Sequence, residues 1–120
     1  MHATLHLISK RNDLTMDDID KILEPFYEGN VFEYDEEIDE YIKPDIYPQF
    51  HWDYFRTFDR VIWEKPEDCF VIIDPDGYAI TRKWWNGKEH VDQTEQFELF
   101  VKNNRAKWSG CYMYELDIHW

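Results

Sequence analysis

The sequence is poor in cysteine, in glycine and in long apolar runs, and each shortage excludes a class of protein. Its 120 residues include two cysteines, Cys69 and Cys111, which are too few for a disulfide scaffold and are typical of a reducing cytoplasm. Four unclustered glycines cannot form a phosphate-binding loop. No run approaches the roughly 20 apolar residues of a membrane span, and residues 1–5 do not resemble a secretion signal. We therefore expect a single cytoplasmic α+β domain over residues 1–120.

Basic residues are also scarce. The chain has 13 Lys and Arg against 26 Asp and Glu, a net charge of −13, and this charge opposes direct binding to nucleic acid or to an anionic membrane. The acidic excess is concentrated in residues 13–45, which hold 13 acids and two lysines. Two interpretations follow from this concentration: a solvated face that keeps the protein in solution, or an anionic surface for a basic partner.

Aromatic residues, in contrast, are abundant. Six Trp, eight Tyr and eight Phe make up 18% of the chain, more large rings than a domain of this size can easily bury. Tyrosines interleaved with carboxylates combine an apolar ring with a polar tip, which interfaces favour; the alternative is that these rings line the outside of the core. We predict a partner-binding surface from the acidic, tyrosine-containing run of Glu33, Tyr34, Asp35, Glu36, Glu37, Asp39, Glu40 and Tyr41.

Hydrophobic periodicity predicts the secondary structure. Strands are predicted over 3–8, 69–73, 78–85 and 111–120, with turns at 74–77 and 86–87; helices are predicted after Thr15, ending near Pro25, and after Asp92 or Thr94. Between 27 and 66 the pattern indicates a short strand over 31–35 and helices over 38–42 and 55–62. We expect one core cluster that contains Phe70, Ile72, Leu5, Leu7, Leu116, Phe97 and Phe100.

This order of elements predicts an antiparallel sheet with helices packed on one face. It fits a split-βαβ, ferredoxin-like plan with a variable acidic insertion, in which the first and last strands are neighbours.

Several short segments resemble a group of small tailed-phage accessory proteins. Residues 22–28 (ILEPFYE) are similar to that group's L-x-P-F-x-E segment, and residues 51–55 (HWDYF) to its W-D-W-Y segment. Residues 74–78 (DPDGY), 84–87 (WWNG) and 117–119 (DIH) resemble its P-D-G, W-W-G and closing D-C-H segments in the same order. The group's I-G-G-R-W is replaced here by RTFDR at 56–60. The resemblance implies a phage origin, an accessory role in the host cytoplasm and no particular reaction.

One group of residues could form a metal site. Asp117 and His119 share a face of the last strand with Glu115, and pairing with the first strand would bring His6 and His2 opposite them. Imidazole and carboxylate ligands suit zinc, manganese or iron. We favour the simpler interpretation that His119 is an exposed strand histidine near the C-terminus, and we expect no metal, with a site at Asp117, His119 and His6 as the alternative. No serine lies in a nucleophile elbow, and both cysteines lie in apolar strands.

We therefore expect a binding protein with no cofactor and no catalytic residues. The expected partner is a basic, nucleic-acid-handling host protein, which this chain would inhibit as an anti-defence or anti-CRISPR factor, with carboxylates standing in for phosphates. The alternatives are a small metal-dependent hydrolase or nucleotide-binding protein centred on Asp117 and His119, and a structural protein of the phage particle. Trp84 and Trp85, beside Arg82 and Lys83, form a basic–aromatic cluster in which one tryptophan is expected in the core. The other either packs over a sheet edge, which we favour, or stacks on a ligand or a partner.

Overall fold

The computed structural model describes residues 2–42, 47–61 and 68–120. The chain forms, in order, β1 His2–Ser9, α1 Met16–Leu23, a 3₁₀ turn Glu24–Phe26, α2 Glu28–Val31, β2 Glu33–Asp35, β3 Glu40–Ile42, β4 Tyr54–Val61, β5 Val71–Ile73, β6 Ala79–Thr81, β7 Lys83–Trp85, β8 His90–Asp92, α3 Thr94–Asn104 and β9 Tyr112–His119. The mixed α+β class is confirmed. No helix in the described ranges is long and apolar enough to cross a membrane.

Five strands form the main sheet, in the order β4-β9-β1-β5-β6. The first and last strands are neighbours, as predicted, and pair antiparallel from His2 opposite His119 to Ser9 opposite Tyr112. The sheet is not antiparallel throughout, because β1 and β5 run parallel. The split-βαβ plan is not confirmed: β4, the first strand of this sheet after α1, lies at the edge beside β9 rather than beside β5.

The sheet is covered on both faces, and not on one as the sequence pattern predicted. Alternation along the strands sends Leu5 and Leu7 to one face and Ile8 to the other. The first face packs against α1 through Ile19 and Leu23. On the second face, Phe97 of α3 packs with the alternate residues of the strands. The predicted single core is therefore two clusters with the sheet between them.

The start of α1 is fixed by its own sequence. The Thr15 hydroxyl accepts a hydrogen bond from the Asp18 amide at 3.2 Å, and the Asp18 carboxylate accepts one from the Thr15 amide at 3.0 Å. This capping box satisfies two amides that a helix otherwise leaves unpaired. The hydrogen bond that the Thr15 backbone amide donates to the Asp18 carboxylate, and after it an interaction with the Thr15 side chain, hold the pKa of Asp18 below its ordinary value. Pro25 then converts the end of the helix to a 3₁₀ turn.

The two helices predicted in the middle of the chain are wrong. Residues 38–42 do not form a helix, because Asp39 adopts a positive φ of 53° and the chain returns as β3 against β2. Residues 55–61 belong to β4, with Phe55 half-buried and Arg56 exposed in strand alternation. Ile62, the last residue of the second predicted helix, lies outside the described residues.

The turns of the second half follow the sequence prediction. The Asp74 carboxylate accepts hydrogen bonds from the amides of Asp76 and Tyr78, both at 2.9 Å, and Gly77 supplies the positive φ of 84° that this turn requires. At α3 the predicted cap differs: Gln93 is the N-cap, although the Asp92 carboxylate accepts from the Thr94 amide at 3.0 Å.

Candidate functional site

The predicted partner-binding run forms a small hairpin of its own. Strands β2 and β3 pair antiparallel as a separate two-stranded sheet, with Tyr34 directly opposite Tyr41 and Asp35 opposite Glu40. In the connecting turn, the Asp35 carboxylate accepts a hydrogen bond from the Glu37 amide at 2.9 Å. Asp is among the residues that tolerate the left-handed conformation seen at Asp39. We call residues 33–42 the acidic hairpin.

The tyrosines of the acidic hairpin form a cross-strand pair that is open to solvent. The rings of Tyr34 and Tyr41 meet edge-to-face with centroids 5.2 Å apart, and the two residues are 48% and 70% exposed. Ile38 at the turn and Ile42 at the end of β3 are also exposed. Exposed rings beside exposed aliphatic side chains provide the apolar anchors that a protein interface buries.

Like charges face one another across the same hairpin. Asp35 and Glu40 are directly opposite, on the face away from the tyrosine pair. Two carboxylates in this register repel, and like-charge cross-strand pairs destabilise a hairpin. Among the described residues, none of the six acids of the hairpin forms an ion pair. A basic group placed between these carboxylates would relieve the repulsion.

The base of the hairpin is held to the body by aromatic contacts. Phe32, the residue before β2, contacts Tyr47 and His51 edge-on, with ring centroids 6.0 and 5.1 Å apart. One turn earlier, the Tyr27 ring lies 5.0 Å from the buried ring of Trp52, whose indole N–H donates to the carbonyl of Leu23 at 2.8 Å. The hairpin is therefore exposed along its length and fixed where it leaves the core.

The imidazoles and carboxylates predicted to meet on β1 and β9 do lie together. His6 is opposite Glu115 in the register, and their side chains are 3.4 Å apart. Asp117 lies 3.3 Å from His2, and its other close partner is Arg56 at 3.6 Å. His119 contacts Asp53 at 2.6 Å, and its ring is tilted against that of His2 with a centroid distance of 4.8 Å.

These side chains form pairs and do not converge on one point. His6 is buried against Glu115, Asp117 is shared by His2 and Arg56, and His119 is paired with Asp53. Within residues 2–42, 47–61 and 68–120, no group of three or more His, Cys, Asp or Glu side chains is placed to hold a metal ion. Both cysteines are buried, so neither is presented as a nucleophile.

The predicted basic–aromatic cluster separates. The Arg82 side chain does not pack on the tryptophans; its guanidinium lies 4.3 Å from the centre of the Phe97 ring. Trp84 is half-buried and Trp85 is exposed, and both line a cleft with Lys83. Sequence reasoning missed the opposite wall of this cleft, which begins at Tyr47. The sequence does contain a signal for this wall, since four of the six residues from 47 to 52 carry aromatic rings.

Comparison of the chain with protein-family models, with curated protein sequences and with solved structures finds no match.

Proposed function

We propose that this protein binds a basic, nucleic-acid-handling protein through the acidic hairpin and inhibits it by occupying its nucleic-acid-binding surface. The observation that carries the proposal is the hairpin itself: mostly exposed carboxylates that form no ion pair with another described residue, alongside an exposed tyrosine pair. Carboxylates can replace phosphates in contacts with Lys and Arg, because both accept charge-assisted hydrogen bonds. The tyrosines add apolar area that a nucleic acid would supply by base stacking.

The resemblance of five short segments to tailed-phage accessory proteins supports a host defence protein as the partner. Restriction and CRISPR enzymes hold nucleic acid in positively charged channels, and a carboxylate-rich protein competes for such a channel without a reaction of its own. The long-range field of a chain with net charge −13 accelerates the encounter with a basic surface. We therefore propose an anti-defence role in the host cytoplasm.

The experiment compares two charge-reversal variants with the same change in net charge. The first replaces Glu36, Glu37 and Glu40 of the hairpin by Lys. The control replaces Asp20, Glu24 and Glu89, which are exposed elsewhere on the surface. Each protein is immobilised, partners are captured from host lysate and eluted by salt, and the nucleic-acid-binding activity of the captured partner is assayed with and without added protein.

We expect the hairpin variant to lose capture and inhibition while the control variant keeps both. Capture by the parent should weaken between 0.1 and 1 M salt, because the screening length falls from about 10 Å to about 3 Å. Equal losses in the two variants would mean that net charge alone attracts the partner. If Tyr34→Ala with Tyr41→Ala abolishes capture and the hairpin reversal does not, the interface is aromatic and the acids serve solubility.

A further inference from the structure

Two histidine rings lie side by side where the pairing of β1 with β9 ends. His2 and His119 are directly opposite in the antiparallel register, a position in which the Cβ atoms of two side chains are about 4.5–5.5 Å apart. Their rings are tilted by 59°, with centroids 4.8 Å apart. The side chain of His2 is 62% exposed and that of His119 is 37% exposed. A solute can therefore reach both imidazoles at once.

Each of these imidazoles has a carboxylate beside its Nδ1 atom. Asp53 Oδ1 lies 2.6 Å from Nδ1 of His119, and Asp117 Oδ2 lies 3.3 Å from Nδ1 of His2. An ionised carboxylate can only accept a hydrogen bond, so the neutral ring of His119 carries its proton on Nδ1. At His2 the nearby negative charge favours the same tautomer. The Nε2 atom of each ring then has a free lone pair, and it makes no hydrogen bond or ion pair with a residue that the structure describes.

The sheet holds both carboxylates in position. The backbone amide of Asp53 donates to the His119 carbonyl at 2.9 Å, which ties Asp53 to the end of β9. Asp117 is on β9 itself, opposite Arg56 of β4, whose guanidinium lies 3.6 Å from the carboxylate. A site carried by paired strands is formed before a ligand arrives, so binding does not require these groups to be ordered first.

This arrangement is the one that metal-binding histidines show. Such a histidine coordinates through one ring nitrogen and donates its other N–H to a carboxylate, which fixes the ring orientation. Here the combination occurs twice, on adjacent rings. Two imidazoles that share one tetrahedral ion, with each nitrogen about 2 Å from the metal, have ring centres about 5 Å apart. The centroid distance of 4.8 Å agrees with that geometry.

From these observations we propose that His2 and His119 together bind one divalent transition-metal ion, of the zinc, nickel and copper class that imidazole suits, through Nε2 of both rings. Asp53 and Asp117 are positioning residues that act through the imidazoles and are not ligands, and the site does not use His6. No third His, Cys, Asp or Glu completes the site among the described residues, so water fills the other coordination positions. The site is independent of the acidic hairpin and its proposed partner.

The test titrates the protein with Ni²⁺, Zn²⁺ and Mg²⁺ and measures heats of binding. We expect Kd below about 0.1 mM for nickel and for zinc, and binding at least tenfold weaker for magnesium, which prefers oxygen ligands. His119→Gln should raise the Kd for nickel above about 1 mM. The matched control is His90→Gln, which should leave it unchanged, because His90 is an exposed strand histidine whose cross-strand partner is Trp85.

A second pair of variants tests the positioning role. Asp53→Ala removes the carboxylate that orients His119 and should weaken nickel binding about tenfold. Asp20→Ala removes the same charge from an exposed position on α1 and should leave nickel binding unchanged. Equal losses in these two variants would mean that net charge attracts the ion and that Asp53 does not position the imidazole.

A measurement on the unmodified protein guards against a variant that fails to fold. In a ¹⁵N-labelled sample, zinc should shift the Nε2 resonances of His2 and His119 and leave those of His6 and His90 in place. Absence of nickel and zinc binding below about 1 mM, equal affinity for nickel and magnesium, or equal losses in His119→Gln and His90→Gln would each overturn the proposal.

Discussion

Replacing Phe97 by alanine is the sharpest test of a sheet that is covered on both faces. Phe97 is fully buried in the α3 cluster, where its ring packs with the residues of β1, β5 and β9 that point away from α1. Its other neighbour is Arg82, whose guanidinium lies over the ring at 4.3 Å. Truncation therefore opens a cavity under the helix and removes a cation–π contact.

The expected loss follows from these two contacts. Truncation of a buried phenylalanine to alanine costs about 3–5 kcal/mol in the free energy of unfolding. The cation–π contact contributes about 0.5–2 kcal/mol, depending on desolvation, and the Arg82 side chain is 20% exposed. We therefore expect Phe97→Ala to lose about 4–5 kcal/mol, the upper part of that range. Phe97→Leu, which retains most of the apolar volume, should lose less than about 2 kcal/mol.

Urea unfolding at 25 °C, followed by tryptophan fluorescence and far-ultraviolet circular dichroism, gives these free energies. Leu99→Ala is the matched control, because Leu99 is on the same helix and exposed; its change should stay within about 0.5 kcal/mol. If Phe97→Ala does not fold, Phe97→Leu against Leu99→Ala still gives the comparison. A loss below about 1 kcal/mol for Phe97→Ala would refute the docking of α3 on this face.

Two further predictions concern α1 and its end. Trp52→Phe removes the donor to the Leu23 carbonyl and should lower the free energy of unfolding by about 1–3 kcal/mol in urea titrations; an unchanged value would contradict the role given to this bond. The interactions of the Asp18 carboxylate with Thr15, the backbone amide first, hold the pKa of Asp18 below its unfolded value, so its contribution is present above about pH 4 and is lost as the pH falls through the folded pKa. Asp18→Asn should therefore be less stable than the parent at pH 7, by an amount that shrinks at pH 3, and a difference independent of pH would contradict this.

Local signals predicted the elements whose shape is set by a few neighbouring residues. The helix start at Thr15 and the turn closed by Gly77 are examples, since each depends on hydrogen bonds within four residues. The pairing of β1 with β9 was also predicted, and the alternation of apolar residues fixed which side chains share a face. Of the candidate site, the composition of the acidic hairpin was predicted but its conformation was not.

The middle of the chain was mispredicted because its spacing is ambiguous. Phe55 and Phe58 are three residues apart, which fits one face of a helix, but short apolar patterns do not separate helix from strand. Pairing of β4 with the free edge of β9 decides the outcome, and that edge is distant in sequence. The aromatic cleft was missed for the same reason, because its walls come from segments more than thirty residues apart.

The second covered face had a signal that the sequence prediction did not use. Residues 71–73 are three consecutive apolar residues, and all three are buried. A strand with one face in solvent alternates, whereas a strand without alternation is buried on both sides. The apolar run of β5 therefore indicates a helix above the sheet and another below it. The alternation in β9, where Glu115 and Asp117 lie on the second face, instead suggested that this face is open to solvent. In the structure, α3 covers only the part of that face near Met113.

The acidic hairpin lies outside the core, so the repulsion among its charges has little effect on the stability of the fold. Among the described residues, neither core cluster includes a member of 33–42, so the repulsion between Asp35 and Glu40 acts on the hairpin and not on the sheet. The opposed carboxylates of Asp35 and Glu40 destabilise the hairpin, whereas the cross-strand pair of Tyr34 and Tyr41 stabilises it modestly. Phe32 is the structural link to the rest of the molecule, since its ring anchors the hairpin and lines the aromatic cleft. The acidic hairpin and the cleft therefore meet at Phe32, and the described residues that line the cleft include no aspartate or glutamate.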